Sequence, residues 1–568
     1  MAKGRIKWGN ILIVLLIIAA GVAAIYYKDP AKFEAFFSYR GADRNNTQAL
    51  NGNSTSDQTG IAPDNAKLGS GGAQQGSGGQ LIPGAVVPAS DTFIMGLDSW
   101  IGGTPALIAL SREYNKDYSL NLKLSYITND RDRITALNKG EIHATEMTLP
   151  AFLRFQQEFP DAGVIAGITD FSRGADGIIA RSGINTLNDM EDKTVSYVGD
   201  GTGKFILNKF LRLTGLRYQD IKPIERDEMG EVIEDLKSGK ADLIVSWSPD
   251  MNLAVKDINE NNPRNVKMLI TTKEVPDLVP TVLVINKNTA GNYPEEVAAF
   301  LKTWYVSAKY IIEKPDKAYE KLAELMTANQ DIYGEIDSGV VKDSFGDIKL
   351  MSLNDNFSYF GLDGEEKKID AIITDTQKTW QKFGDMDEGG IPANIAPDST
   401  LKGLFAENDE ELLVGTLDSG ITGNAFQAEE TAKEFKVMDE TSIETNTEKV
   451  AKVDIPPVFY DSGKAAVKKE SLADLNEVVN VLKQFPNYYL IIDAHTDSVG
   501  SEESNLHLSK DRAETVKTYL VSRKIDANRL IARGWGESKL LVADDKTEES
   551  KAKNRRTEFI LTREAAAK

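Results

Sequence analysis

The stretch DAHTDSVGSEESNLHLSKDR (493–512), with NRRTEFI (554–560) behind it, decides the reading of this 568-residue chain. The run YYLIIDAHTD (488–497) begins apolar and ends polar, which predicts a buried strand feeding a loop. From Asn505 to about Ser522 the apolar residues Leu506, Leu508, Ala513, Val516, Tyr519 and Leu520 recur at helical spacing. Asp497 thus closes a strand, and Arg512 lies 15 residues further on, inside the helix. A strand-end carboxylate that faces a helix-borne guanidinium can grip a zwitterion from both sides. Two such groups also form ordinary weak ion pairs on protein surfaces.

Together the HTD stretch, the spacing to Arg512 and the NRR triplet resemble the OmpA-like peptidoglycan-binding domain, over about 455–562. The resemblance implies a small α+β domain, placed at 451–562, whose ligand is the diaminopimelate of the peptidoglycan stem peptide. It implies that Asp497 takes the ammonium and Arg512 the carboxylate, with Asn505, Asn554 and Arg555 lining the site and Thr496 and Leu508 in support. The chain departs from the family at Ala494, usually Gly, at Asp545, usually Asn, and at Ser550-Lys551, usually Gly-Arg. His495 and His507 have no Cys or carboxylate cluster beside them and are not read as zinc ligands.

At the other end, Trp8 to Tyr27 is an uncharged stretch of 20 residues. As a helix that length spans a hydrocarbon core of about 30 Å. Lys3, Arg5 and Lys7 precede it, so residues 1–30 are expected to anchor the chain in the inner membrane with the N-terminus in the cytoplasm. The rest then lies in the periplasm. A cleaved signal peptide is the rival, but the apolar run is long and no clear A-x-A site follows. The chain has no Cys, which excludes lipoprotein cleavage, disulfides and thiolate metal sites. The net charge of −20 argues against nucleic acid as a partner.

Residues 31–90 are expected to be a flexible linker, with LGSGGAQQGSGGQ at 68–80. A second, acidic linker, partly helical, is expected over 426–450. The last residues, EAAAK (564–568), match a designed helical linker unit, so 563–568 read as an appended tail.

Between the linkers, 91–425 alternates strands and helices, which argues α/β. Strands are expected at 92–98, 122–128, 194–200 and 241–247, with helices after Thr104-Pro105, over 133–139 and 151–157, and after Gly203. The segments GINTLNDMEDKTVSYVGDGTGKFILNKFL (183–211), GKADLIVSWSPD (239–250) and VLVINKNTAGNYPEEVAAFLKTW (282–304) resemble periplasmic substrate-binding proteins of ABC importers, nearest the nitrate/taurine type. That implies a two-lobed periplasmic-binding-protein fold, with lobe one at 91–181 and 284–424 and lobe two at 182–283.

Ligands in such folds lie at strand C-ends and helix N-termini. That nominates Asp98, Ser99, Trp100, Gly103 and Thr104 from the first loop, and Thr145 and Glu146 from the HATEM segment. It also nominates Gly201, Thr202 and Gly203, and then Trp247 and Ser248. The Gly201–Gly203 loop opens a helix, so its N–H groups favour an anionic or carboxylate-bearing solute. Trp100 and Trp247 come from different lobes and are expected to cover the ligand on closure.

No G-x-S-x-G, HExxH or P-loop occurs, so the chain is read as a binding protein without a cofactor. The expected whole is a membrane-anchored, peptidoglycan-tethered solute-binding protein serving an ABC permease or sensing the solute. The alternative is a structural connector that uses the binding-protein fold as a protein-interaction module. A motor stator also joins a membrane helix to an OmpA-like domain, but Trp8–Tyr27 holds no Asp or Glu for a proton relay.

Overall fold

The computed structural model describes residues 92–199, 201–261, 266–334, 336–390, 392–406, 412–413, 435–460 and 463–565. The anchor expected over 8–27 and the linker over 31–90 lie outside them, as do residues 426–434 of the second linker. Among the described residues no helix is long and apolar enough to cross a membrane.

Four strands open the first lobe: β1 (Phe93–Leu97), β2 (Leu122–Tyr126), β3 (Ala144–Thr148) and β4 (Gly163–Ser172). β1 pairs with β2 and β3 in parallel, as strands joined by crossover helices do. Five strands build the second lobe: β5 (Asp176–Arg181), β6 (Thr194–Val198), β7 (Lys222–Arg226), β8 (Leu243–Trp247) and β9 (Val266–Thr271). Their order is β7-β6-β8-β5-β9. The chain then returns through β10 (Pro280–Asn286) and β11 (Ile348–Leu350), which complete a first sheet ordered β11-β4-β10-β3-β1-β2.

The lobe boundary differs from the expected one. β5, assigned by sequence to lobe one, pairs antiparallel with β8 and β9 in the sheet of lobe two. The chain crosses at 173–175 and returns at 272–279. The two crossings are tied together: Ser172 Oγ lies 2.7 Å from Thr272 Oγ1, and Gly174 N donates to Thr272 Oγ1 at 2.9 Å. The helix Lys368–Lys382 then lies across both lobes. Trp380 Nε1 on it donates to Pro150 O of lobe one, while Asp375 pairs with Lys209 and Arg212 of lobe two at 2.5 and 3.0 Å.

The C-terminal module has a sheet ordered β12-β15-β13-β14, made of β12 (Thr447–Val453), β13 (Tyr489–Ala494), β14 (Leu530–Gly534) and β15 (Thr557–Glu564). β13 is buried along its whole length, as its apolar run requires. The helix Glu502–Ser522 packs on it through Ala513, Val516 and Leu520. β14 passes so close to that helix that a Cβ at Gly534 would land on the Lys510 backbone. Gly536, at φ +52°, would likewise put a Cβ 2.9 Å from Leu506 N.

Two boundaries of this module also need correction. Part of the expected acidic linker is the helix Glu440–Asn446 followed by β12, because Arg533 reaches from β14 to Glu444 and β12 completes the sheet against β15. Arg563 and Glu564, expected in an appended tail, are the end of β15.

The module is docked on lobe two. Asn188 Nδ2 donates to Lys452 O at 3.3 Å, and Lys452 N donates to Asn188 Oδ1 at 2.7 Å. Asp454 N donates to Leu213 O, and Arg563 pairs with Glu274 at 3.4 Å. The free edge of β12 is thereby partly covered, which removes a site for stray strand pairing.

Candidate functional site

The residues nominated in the C-terminal module assemble where β13 ends. Asp497 leaves the strand, and its backbone oxygen accepts from Asn505 Nδ2 at 3.2 Å, near the start of the helix Glu502–Ser522. Its Oδ1 accepts from Val499 N, and its Oδ2 accepts from Arg555 Nη1 at 2.6 Å. Arg512 stands on the same helix as Asn505. Its guanidinium lies 4.7 Å from the Tyr460 ring centre, and its Nε donates to Lys464 O at 3.2 Å. Burial lowers the Arg512 pKa from its ordinary value, while Tyr460 and Asp497 push it back and Arg555 works against it. One carboxylate thus meets two guanidiniums, and the direct ion pair is with Arg555 rather than Arg512.

The other nominated residues divide. Thr496 is buried, and its Oγ1 has no hydrogen-bond partner. Asn505 also donates to Glu537 at 2.6 Å. Asn554 is fully buried and pins a loop: its Oδ1 accepts from Leu541 N and Val542 N, and its Nδ2 donates to Val542 O. It holds the site's wall and does not face the opening. Asp545 accepts from Ser498 N at 2.7 Å, so an acceptor serves where the family has Asn. His495 is buried with neither ring nitrogen bonded, and burial, aided by Arg556, lowers it to about 4.

In the binding-protein domain Asp98–Thr104 and Gly201–Gly203 follow β1 and β6, Trp247 and Ser248 close β8, and Thr145 and Glu146 lie inside β3 rather than after it; many of their polar groups are already paired. Thr104 Oγ1 donates to Ile101 O, and Thr145 Oγ1 to Gly96 O. Both belong to the fold. Ser99 is exposed. Trp100 Nε1 donates to buried Asp170 at 3.1 Å. Thr202 Oγ1 lies 2.7 Å from Thr148 Oγ1, a bond from lobe two to lobe one. Ser248 Oγ donates across the lobes to Asp347 at 3.3 Å. Gly203 packs tightly, since a Cβ there would lie 2.9 Å from Val198 O. Trp247 packs in lobe two with Met229 and Val232, while Trp100 packs in a different cluster of lobe one.

Sequence reading missed the centre of this region. Arg133, 1% exposed, pairs with Asp98 at 2.9 Å and with Asp130 at 2.5 Å. Its Nη1 also donates to Ile127 O. Glu146 Oε1 accepts from Asp98 N at 3.4 Å. Burial opposes the Arg133 charge, but Asp98, Asp130 and Glu146 outweigh it and raise the guanidinium above its ordinary value. Burial, then the Asp98 charge, raises Glu146 well above the carboxylate range. Asp170 is raised to about 7 by burial, against hydrogen bonds from Thr169, Trp100 and Thr281. The segment DRDR (130–133) looks like a solvated face, and no local pattern announces that Arg133 turns inward.

Among the described residues no group of His, Asp and Glu is disposed to hold a metal ion.

Two stretches of the chain match family models: residues 459–555 match the OmpA family, and residues 101–318 match the NMT1/THI5-like family. Outer membrane porin F of Pseudomonas aeruginosa is 39% identical over 109 residues, which are 19% of this chain and 31% of the porin. Motility protein B of Bacillus subtilis is 41% identical over 115 residues, 19% of this chain and 44% of that protein. The chain therefore spans less than half the length of these relatives. The periplasmic aliphatic sulphonate binding protein SsuA from Escherichia coli aligns with 54% of this chain and 91% of its own, at 14% identity and a TM-score of 0.42. The chain thus carries an NMT1/THI5-like domain over 101–318, followed by a C-terminal OmpA-family domain over 459–555.

Proposed function

We propose that this chain captures a small solute in the cell envelope and is held to peptidoglycan by its C-terminal module. The observation that carries the reading is the convergence of Asp497, Arg512 and Arg555 at the end of β13. A diaminopimelate end group presents an ammonium and a carboxylate on one carbon. Asp497 is suited to the first, and Arg512 to the second as a charge-assisted pair. Arg555 holds Asp497 in place and swings aside or joins the carboxylate when ligand enters. Sedimentation of the full chain with purified sacculi tests this. Wild type should pellet, and Asp497→Ala and Arg512→Ala should stay in the supernatant. Pelleting of both variants overturns the wall reading.

The stretch 8–27 supplies an inner-membrane anchor in this reading, and an ABC permease is the partner that would receive the solute. Accessibility of a reporter placed in 41–90 from the periplasmic side tests the topology.

A connector role is the second reading, and one observation favours it: the module docks on lobe two, while Thr148–Thr202, Ser248–Asp347 and Lys204–Asp385 bonds join the lobes. A fold held this way can serve as a spacer. Pull-down of a stoichiometric protein partner, with no ligand-induced rise in melting temperature, would select it.

A further inference from the structure

The residues that sequence nominated for an anion face a carboxylate. A Cβ at Gly201 would lie 3.5 Å from Asp130 Oδ2 across the cleft. The neighbouring Thr202 hydroxyl is bonded to Thr148. On lobe one, Asp98 follows β1, Asp130 opens the helix Asp130–Lys139, and Glu146 lies in β3. All three acids gather on one guanidinium, Arg133, which leaves two negative charges in excess when all are ionised.

Glu146 makes this more than an acidic cluster. It is 1% exposed and its Oε1 reaches the Asp98 loop, but its Oε2 is buried with no hydrogen-bond partner. Burial and the neighbouring Asp98 carboxyl favour a proton on Glu146, so a group that takes that proton's place at Oε2 has to bring both an N–H and a positive charge. Beside it stand two rings. Tyr126 and Tyr333 meet edge to face at 5.9 Å, and Tyr333 Oη donates to Asp98 O at 3.4 Å. Aromatic faces beside carboxylates suit an organic ammonium. Among the described residues no group of acids is disposed to hold a metal ion.

We propose that the cleft takes a small protonated amine, whose N–H group donates to Glu146 Oε2 while Asp98 and Asp130 balance its charge. This inference rests on the solute-binding reading and fixes its chemical class. It reverses the anionic preference suggested by the Gly201–Gly203 loop.

The test is thermal denaturation and calorimetric titration of the full chain with putrescine, tetramethylammonium, taurine and nitrate at equal ionic strength. Putrescine should raise the melting temperature with concentration, as mass action requires. Tetramethylammonium, which has no N–H, should bind at least tenfold more weakly. Glu146→Gln and Asp98→Asn should each weaken putrescine at least tenfold, while Asp497→Ala leaves it unchanged. Should Glu146→Gln fail to fold, the tetramethylammonium comparison and Asp98→Asn still decide. Binding of taurine or nitrate without putrescine overturns the amine and keeps the solute reading. Binding of tetramethylammonium as tight as putrescine overturns the role of Glu146 Oε2. No response to any of the four overturns both.

Discussion

The two charged sites of this chain are built in opposite ways. At the end of β13 burial is graded: Arg555 is 39% exposed and the Asp497 side chain 13%, while Arg512 behind them is buried. In the cleft Arg133 is 1% exposed and pairs with Asp98 and Asp130 at 2.9 and 2.5 Å. A rim charge has water as an alternative partner, so its removal mainly affects what binds. A buried charge has only its neighbours, so its removal affects the fold first. The same kind of residue therefore does different work in the two places, and substitution separates them.

The largest effect is expected from Arg133→Met. It leaves Asp98, Asp130 and Glu146 together without their cation, a loss of about 3–5 kcal/mol. Urea denaturation of the full chain should show the midpoint of the binding-protein domain falling, while binding to sacculi persists at low denaturant. A midpoint within experimental error of wild type would mean that the cluster is solvated and the contrast is false.

Next come Asp497→Ala and Arg512→Ala, each expected to cost about 2–5 kcal/mol of wall affinity. The contrast with Arg133 sharpens if the melting temperature stays close to wild type for Asp497→Ala. A large drop would place Asp497 among the fold-determining charges instead.

A third effect is a pH dependence located in the cleft. The Asp170 carboxyl is raised by burial to about 7, above its unfolded value of 3.8. The folded state therefore binds the proton more tightly. That contribution is complete below about pH 4 and is lost as pH rises through about 7, on the order of 2–4 kcal/mol over the window. Asp375 has the opposite sign. Burial would raise it, but Lys209 and Arg212 hold it at about 2, so its contribution is present above about pH 4 and lost below that. Asp170→Asn should flatten the decline in melting temperature between pH 5 and 8. An unchanged slope would assign the decline to other groups.

How much of this was legible in the sequence follows from the same contrast. The C-terminal module was readable because its strand end, helix and triplet are local patterns. Even there Arg555 is read only as a lining residue and not as the direct partner of Asp497, since it lies 58 residues away and only the fold brings them together. The placement of β5 was missed because its buried run fits either sheet, and pairing with β8 and β9 is a long-range choice. The cleft was readable only as a set of strand ends. Asp98 was nominated from its position, but Arg133, Tyr333 and Asp170 reach it from separate elements with no common motif. The start of the C-terminal module was missed because the polar helix Glu440–Asn446 is held by one apolar residue, Ile443, packed with Tyr489, Ile491 and Ile531, and by the Glu444–Arg533 pair, all long-range contacts.

The smallest expected effect concerns how the two regions are joined. Asn188 makes a reciprocal pair of hydrogen bonds with the backbone of Lys452 at the outer edge of β12. Neutral bonds of this kind contribute about 1 kcal/mol each. Asn188→Ala should therefore loosen the docking of the module on lobe two by about 1–2 kcal/mol without unfolding either part, because Asp454–Leu213 and Arg563–Glu274 remain. Amide hydrogen exchange should rise at Lys452 and its neighbours on β12 and stay unchanged on β13. If docking couples the module to lobe two, a solute that closes the lobes should also slow exchange on β12, and Asn188→Ala should remove that response. Exchange on β12 that ignores both the substitution and the solute would show that the wall module and the cleft act independently, joined by sequence alone.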